Sequence, residues 1–162
     1  MDIQPIGKRN LLIYLNSDEL TDLPAPPLEL GTDDAAGILR EALGDGCKDE
    51  WSNVYLELFA GRDSLLLVAR AHSGEACFFK FEDIEGLISA SQLCPGDIIS
   101  FLSYCEGSYY LIVYPWDKEP PPNVLSEYGR QLMLHPNFAF HLTEHGKILL
   151  GPSALDELRQ RF

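Results

Sequence analysis

Basic residues are scarce in this chain of 162 residues: 12 Lys and Arg stand against 25 Asp and Glu, a formal net charge of −13. Nucleic-acid binding sets lysine and arginine against phosphates, so that partner class is disfavoured. Anionic membrane surfaces are disfavoured for the same reason. No apolar run approaches the roughly 20 residues that a membrane-crossing helix needs. The opening Met1-Asp2-Ile3-Gln4-Pro5 lacks the charged-then-apolar pattern of a secretory leader. Cysteine is sparse as well. Cys47, Cys77, Cys94 and Cys105 form no Cys-x-x-Cys pair, which leaves neither a zinc signature nor a dense disulfide framework. They read as four thiols, and the expected location is cytoplasmic.

Catalytic signatures are missing too. The chain has no Gly-x-Gly-x-x-Gly, no Gly-x4-Gly-Lys-Ser/Thr, no His-Glu-x-x-His and no Gly-x-Ser-x-Gly. His72, His135, His141 and His145 are scattered over a joint, a pre-proline position, a strand and a turn. A metal site would need several of them to converge with supporting groups, so surface or hydrogen-bonded histidines are the plainer reading. No residue is therefore assigned to catalysis, metal or cofactor, and the chain reads as a binding protein and not an enzyme.

What is present is enough apolar matter for a core: 46% of the residues, with 10% aromatic. One domain of ordinary size or two small ones would fit. Acidic excess makes a basic protein surface the natural partner, because opposite charge steers encounter and orients docking.

The pattern along the chain divides it in two. Residues 3–6 and 11–15 read as strands around the turn Gly7-Lys8-Arg9-Asn10. Asn16 or Ser17 begins a short helical turn that ends at Leu23-Pro24, and residues 24–27 must be extended because three of the four are proline. Thr32 is the expected cap of a helix with Ala35, Ile38, Leu39, Ala42 and Leu43 inward, stopped by Gly44. Residues 54–59 and 64–70 read as a hairpin. Its second strand, Leu65-Leu66-Leu67-Val68, is apolar on both faces and predicts cover on both sides. His72-Ser73-Gly74 is the candidate joint.

The second half opens on a strand over 76–81. Glu82 and Asp83 then fall in the first turn of a helix whose face is Ile84, Leu87 and Ile88, extended by Leu93 and ended by Cys94-Pro95-Gly96. Strands follow over 98–104 and 109–114 around Glu106-Gly107, and then a proline-rich loop. Asn123 is expected to cap a helix through Leu132 with Val124, Leu125 and Tyr128 inward. A strand over 138–142 and an edge strand over 147–150 come next. Ser153 and Asp156 form a capping-box pair for a last helix facing inward through Leu155, Leu158 and Phe162. The predicted class is α+β: two small domains, 1–72 and 75–162, each a mostly antiparallel sheet with helices on one face. Tyr104, Tyr109, Tyr110, Tyr114 and Trp116 crowd one hairpin. Strand side chains alternate, so some of them must face outward, where an aromatic side chain anchors interfaces.

Four stretches of the second half resemble the C-terminal domain of the MecA adaptor family. They are Phe79-Lys80-Phe81-Glu82-Asp83-Ile84-Glu85, Tyr104-Cys105-Glu106-Gly107-Ser108-Tyr109-Tyr110-Leu111, Leu125-Ser126-Glu127-Tyr128-Gly129 and Leu142-Thr143-Glu144-His145-Gly146-Lys147. The first half is similar, more loosely, to that family's N-terminal domain through its opening hairpin, the Asp18-Glu19-Leu20 turn, one helix and a closing hairpin. It departs from the family in its three-residue joint and in its short proline-rich stretch before Thr32. The resemblance implies an adaptor without cofactor. Its second domain docks on a Clp-type AAA+ unfoldase (ClpC-like). Its first domain recruits clients such as a competence transcription factor, and the reading admits an oligomer. Glu127, Glu144, Glu85, Tyr128 and Lys147 are the docking candidates. For Glu82 and Asp83 the helix-end role is preferred, while Glu85, expected further along the helix, is the better binding residue. Two rival readings remain: a small acidic secretion-type chaperone that binds unfolded segments as a dimer, and a ferredoxin-like metabolite-binding domain.

Overall fold

The computed structural model describes residues 1–7, 9–44, 51, 53–72, 75–115 and 119–162. Lys8 of the first turn, Cys47, Ser73 and Gly74 of the joint, and Trp116 lie outside the described residues. The chain separates into two compact units, Met1–His72 and Ser73–Phe162. Each carries helices and a mainly antiparallel sheet, so the class is α+β with two small units.

In the first unit, β1 (Asp2–Ile6) pairs with β2 (Asn10–Asn16), and β3 (Val54–Ala60) with β4 (Ser64–Ala71), in the order β1-β2-β4-β3. Helix α1 (Ser17–Leu20) is held by a reciprocal cap. The Asn16 Oδ1 accepts from the Asp18 and Glu19 amides at 3.0 and 3.2 Å, and the Glu19 carboxylate accepts from the Asn16 amide at 2.9 Å. Helix α2 (Thr32–Leu43) starts one residue earlier than its expected cap allows. Gly31 is the cap and Asp34 accepts from its amide at 2.9 Å, so Thr32 is already helical. Ala35, Ile38 and Leu39 close on Leu11, Ile13, Leu15, Leu65, Leu67 and Ala69.

Strand β4 is not covered on both sides. Leu65 and Leu67 are buried, whereas Leu66 and Val68 are only half-buried. Helix α2, with Leu20 of α1, covers one face, and the opposite face, with Tyr14 and Phe59, stays open among the described residues. An all-apolar strand reads the same whether its second face meets a helix or solvent.

The second unit has the strand order β8-β5-β7-β6-β9. Its strands are β5 (Cys77–Phe81), β6 (Ile99–Cys105), β7 (Ser108–Tyr114), β8 (Arg130–Leu132) and β9 (Lys147–Leu150). Helices α3 (Ile84–Leu93), α4 (Val124–Tyr128) and α6 (Ala154–Arg161) close one core with Phe79, Phe81, Leu102, Leu111 and Val113. Helix α5 (Phe138–His145) lies on the opposite face, where Phe138, Ala139 and Leu142 meet Phe78, Phe101, Tyr110 and Ile112. The helices of this unit therefore occupy both faces.

Several expectations give way here. Residues 138–142 are helix, because Phe138, Ala139 and Leu142 share one helical face and the five-residue run fits either period. The helix from Asn123 stops at Tyr128, and Asn123 makes no side-chain cap. Residues 130–132 pair instead with Phe78–Lys80 of β5, which satisfies the edge of that strand. Tyr128 consequently faces solvent, as do Leu93 and Phe162. Helix α3 begins at Ile84 and not at Glu82. Asp83 caps it by accepting from the Gly86 amide at 2.8 Å, Glu82 lies outside, and Glu85 sits in the first turn.

Ser153 makes no side-chain cap, and the Asp156 carboxylate, expected to reach back to the Ser153 amide, is engaged elsewhere. Asp156 accepts from the Asp97 amide at 3.1 Å and from Arg159 at 3.0 Å. Arg159 also donates to the carbonyls of Ser91 (3.1 Å) and Cys94 (2.6 Å), which ties the end of α3 to α6. Charged donors to otherwise unpaired helix-end carbonyls stabilise more than neutral ones. Arg159→Ala should lower unfolding free energy by about 2 kcal/mol, a figure reduced for its partial exposure. Urea titration of the two variants checks this.

Candidate functional site: an acidic rim

Antiparallel pairing sets the start of each edge strand beside the end of its neighbour. Phe81, the last residue of β5, pairs with Tyr109 of β7. Tyr109 pairs with Tyr104 of β6, and Tyr104 with Lys147, the first residue of β9. At the other edge Lys80 pairs with Arg130, the first residue of β8. Five elements thus end or begin at one end of the sheet, over a width of about 19 Å at the usual strand spacing.

This geometry brings the sequence-derived candidates to one rim. Glu85 follows β5 in the first turn of α3. Glu127 and Tyr128 close α4 just before β8. Glu144 closes α5 just before Lys147 opens β9, so it stands at a helix end and not at a strand end. All five are exposed. The same rim carries Glu82 and Asp83, for which the sequence favours a helix-end role over an acidic binding face, and Glu106 of the hairpin turn. Opposing these six carboxylates are Lys80, Arg130 and Lys147, with His145. Lys80 reaches Glu82 at 3.4 Å, and Glu144 lies 3.9 Å from His145. Glu85, Glu106 and Glu127 have no ion-pair partner among the described residues. Six carboxylates against these few cationic side chains leave the rim with an excess of negative charge.

Glu106 shows why topology was needed. It occupies a left-handed conformation (φ 49°) followed by Gly107 (φ 82°), which closes a two-residue hairpin. Its local sequence reads simply as a turn, and only the strand order sets it among the other carboxylates. Aromatic side chains punctuate the rim. Tyr104 is 40% exposed and Tyr128 45%, and the Tyr104 and Tyr109 rings are 5.0 Å apart. Half-exposed tyrosines combine apolar area with a hydroxyl, the usual make-up of interface anchors.

Gly129 and Gly146, each two residues after a rim glutamate, serve close approach. A Cβ on Gly129 would lie 2.7 Å from the buried Phe81 ring. One on Gly146 would lie 2.7 Å from the Leu142 carbonyl and 2.8 Å from the Ser103 hydroxyl. Neither has a positive φ. Each lets the chain cross from helix to edge strand against the sheet, which holds the preceding glutamate at the rim.

His141 is on helix α5, not a strand, and stacks on Phe138 at 5.4 Å, with His145 4.7 Å beyond. Among the described residues no group of three His, Cys, Asp or Glu could hold a metal ion. Cys77, Cys94 and Cys105 are free thiols. Burial pushes the Cys94 thiol up to about 11, against the smaller opposite pull of Arg159. Beneath α5, Phe101, Ile112, Tyr114, Leu142 and Ile148 line an apolar pocket of about 200 Å³. Ser103, on its wall, donates to the Lys147 carbonyl at 3.3 Å. Among the described residues, no helix is long and apolar enough to cross a membrane. No protein-family model, curated protein or solved structure matches this chain.

Two outcomes are expected. Gly146→Ala forces a methyl against backbone and should destabilise by about 1–3 kcal/mol, read by thermal or urea unfolding. Cys94 stays a neutral thiol well above pH 8, so it should resist iodoacetamide at that pH and react on unfolding, read by mass spectrometry of alkylated peptides.

Proposed function

We propose that this chain is a non-catalytic, cytoplasmic adaptor of the MecA type, whose second unit docks through the acidic rim on a basic surface of a ClpC-like AAA+ unfoldase. The first unit gathers the client, such as a competence transcription factor, for unfolding and proteolysis. Tethering raises the client's effective concentration at the machine without chemistry by the adaptor, so no cofactor belongs to it.

One observation carries the reading: six exposed carboxylates and two half-exposed tyrosines stand at a single end of one sheet, held there by strand ends. Such a rim suits a basic, preformed protein surface.

The test uses the full chain with purified unfoldase, protease and client. Stimulated degradation is expected with the native adaptor and lost in Glu127→Arg/Glu144→Arg. Each reversal should weaken unfoldase binding about tenfold at low salt, and added salt should weaken native binding steeply. Native binding that is absent, or indifferent to both reversals, would overturn the reading.

A further inference from the structure

Four strands stand at sheet edges, and three of them are protected. β1 contains Pro5, β8 has three residues, and β9 has four with a register shift opposite it. Prolines, short lengths and irregularities are the devices that keep edges from pairing with other chains. β3 has none of them. Its seven residues, Val-Tyr-Leu-Glu-Leu-Phe-Ala, pair with β4 without a shift and include neither proline nor lysine.

The register shows what this edge presents. The Gly61 amide donates to the Ser64 carbonyl at 2.8 Å, and the His72 amide to the Asn53 carbonyl at 3.0 Å. Counting inward by twos, Tyr55, Glu57 and Phe59 exchange bonds with β4. Val54, Leu56, Leu58 and Ala60 therefore direct their amides and carbonyls away from it. No hydrogen bond reaches these outward groups among the described residues. The side chains of the same four residues pack on the first unit's core, so an added strand would extend that core. Phe59, on the opposite face, is 52% exposed.

We propose that β3 receives an extended, basic segment of a client protein as a fifth strand, antiparallel to it. This rests on the adaptor reading for the role of the partner. Charge selects a foreign strand over a second copy. Full-register pairing of β3 with itself would set Glu57, which lies 3.7 Å from Arg70 of β4, opposite a second Glu57, and like charges in that position repel. It would also join two units that each hold thirteen acidic against six basic side chains in residues 1–72. The fitting segment alternates apolar residues toward Leu56 and Leu58 and sets Lys or Arg opposite Glu57. Main-chain bonds supply affinity, and the alternate side chains supply choice.

The probe is the peptide Thr-Val-Thr-Val-Lys-Val-Thr-Val-Thr, titrated into the full chain with amide exchange followed by NMR. Saturable binding should protect the amides of Val54, Leu56, Leu58 and Ala60 and leave Tyr55, Glu57 and Phe59 unchanged. Ala60→Pro removes an outward amide without touching the ladder to β4 and should weaken binding about fivefold. Glu57→Lys should weaken it about tenfold, with recovery when the peptide's Lys is replaced by Glu. Absence of binding, protection elsewhere, or loss without recovery in the charge swap overturns the proposal. So does protection of the same four amides that grows with protein concentration and no peptide, because it identifies a second copy. Unfoldase docking is measured on the same samples. Docking kept while peptide binding fails sinks only this proposal, and the reverse sinks only the adaptor reading.

Discussion

Antiparallel pairing is the constraint on which the second unit's surface depends. A strand that reverses beside its neighbour must start where that neighbour stops. β8 and β9 each enter the sheet after a helix, and each helix delivers its last glutamate to the same end at which β5 and β6 finish. Carboxylates separated by sixty residues of chain become one rim. No single pair in that rim contributes much stability, since exposed ion pairs such as Lys80–Glu82 are weak in water. Its consequence is a field, not a bond.

Alternation of strand side chains shapes the rest. In β5 and β7, Phe79, Phe81, Leu111 and Val113 point to one side and Phe78 and Ile112 to the other, all of them buried. Both faces of this sheet therefore need cover. Three helices supply it on one side and α5 on the other. Covering both faces draws the connecting chain tightly over the sheet ends, and the glycines at 129 and 146 answer the resulting lack of space. The first unit solves the problem differently. Helix α2 and the short α1 cover one face, and the half-buried Leu66 and Val68 remain on a face without a helix among the described residues.

Burial and ring packing set the surroundings of Cys94 and His141. Cys94 is buried and kept neutral by that burial. His141, itself exposed, stacks on Phe138, whose ring meets Phe78 and Tyr110 edge-on.

By itself the sequence determined the α+β class, the three hairpins, the inward face of α2 and most of that of α3, because hydrophobic period and glycine or proline signals act over a few residues. It also determined which candidates would be exposed acids, since charge resists burial without a partner. The tertiary structure alone decided the rest. Residues 130–132 became a strand because β5 had an edge to satisfy, residues 138–142 a helix because the second face of the sheet needed cover, and Asp156 a receptor for Arg159 in place of a cap. Glu106 joined Glu85, Glu127 and Glu144 for the same kind of reason. Which strand lies beside which is settled by long-range pairing, and no local pattern encodes it.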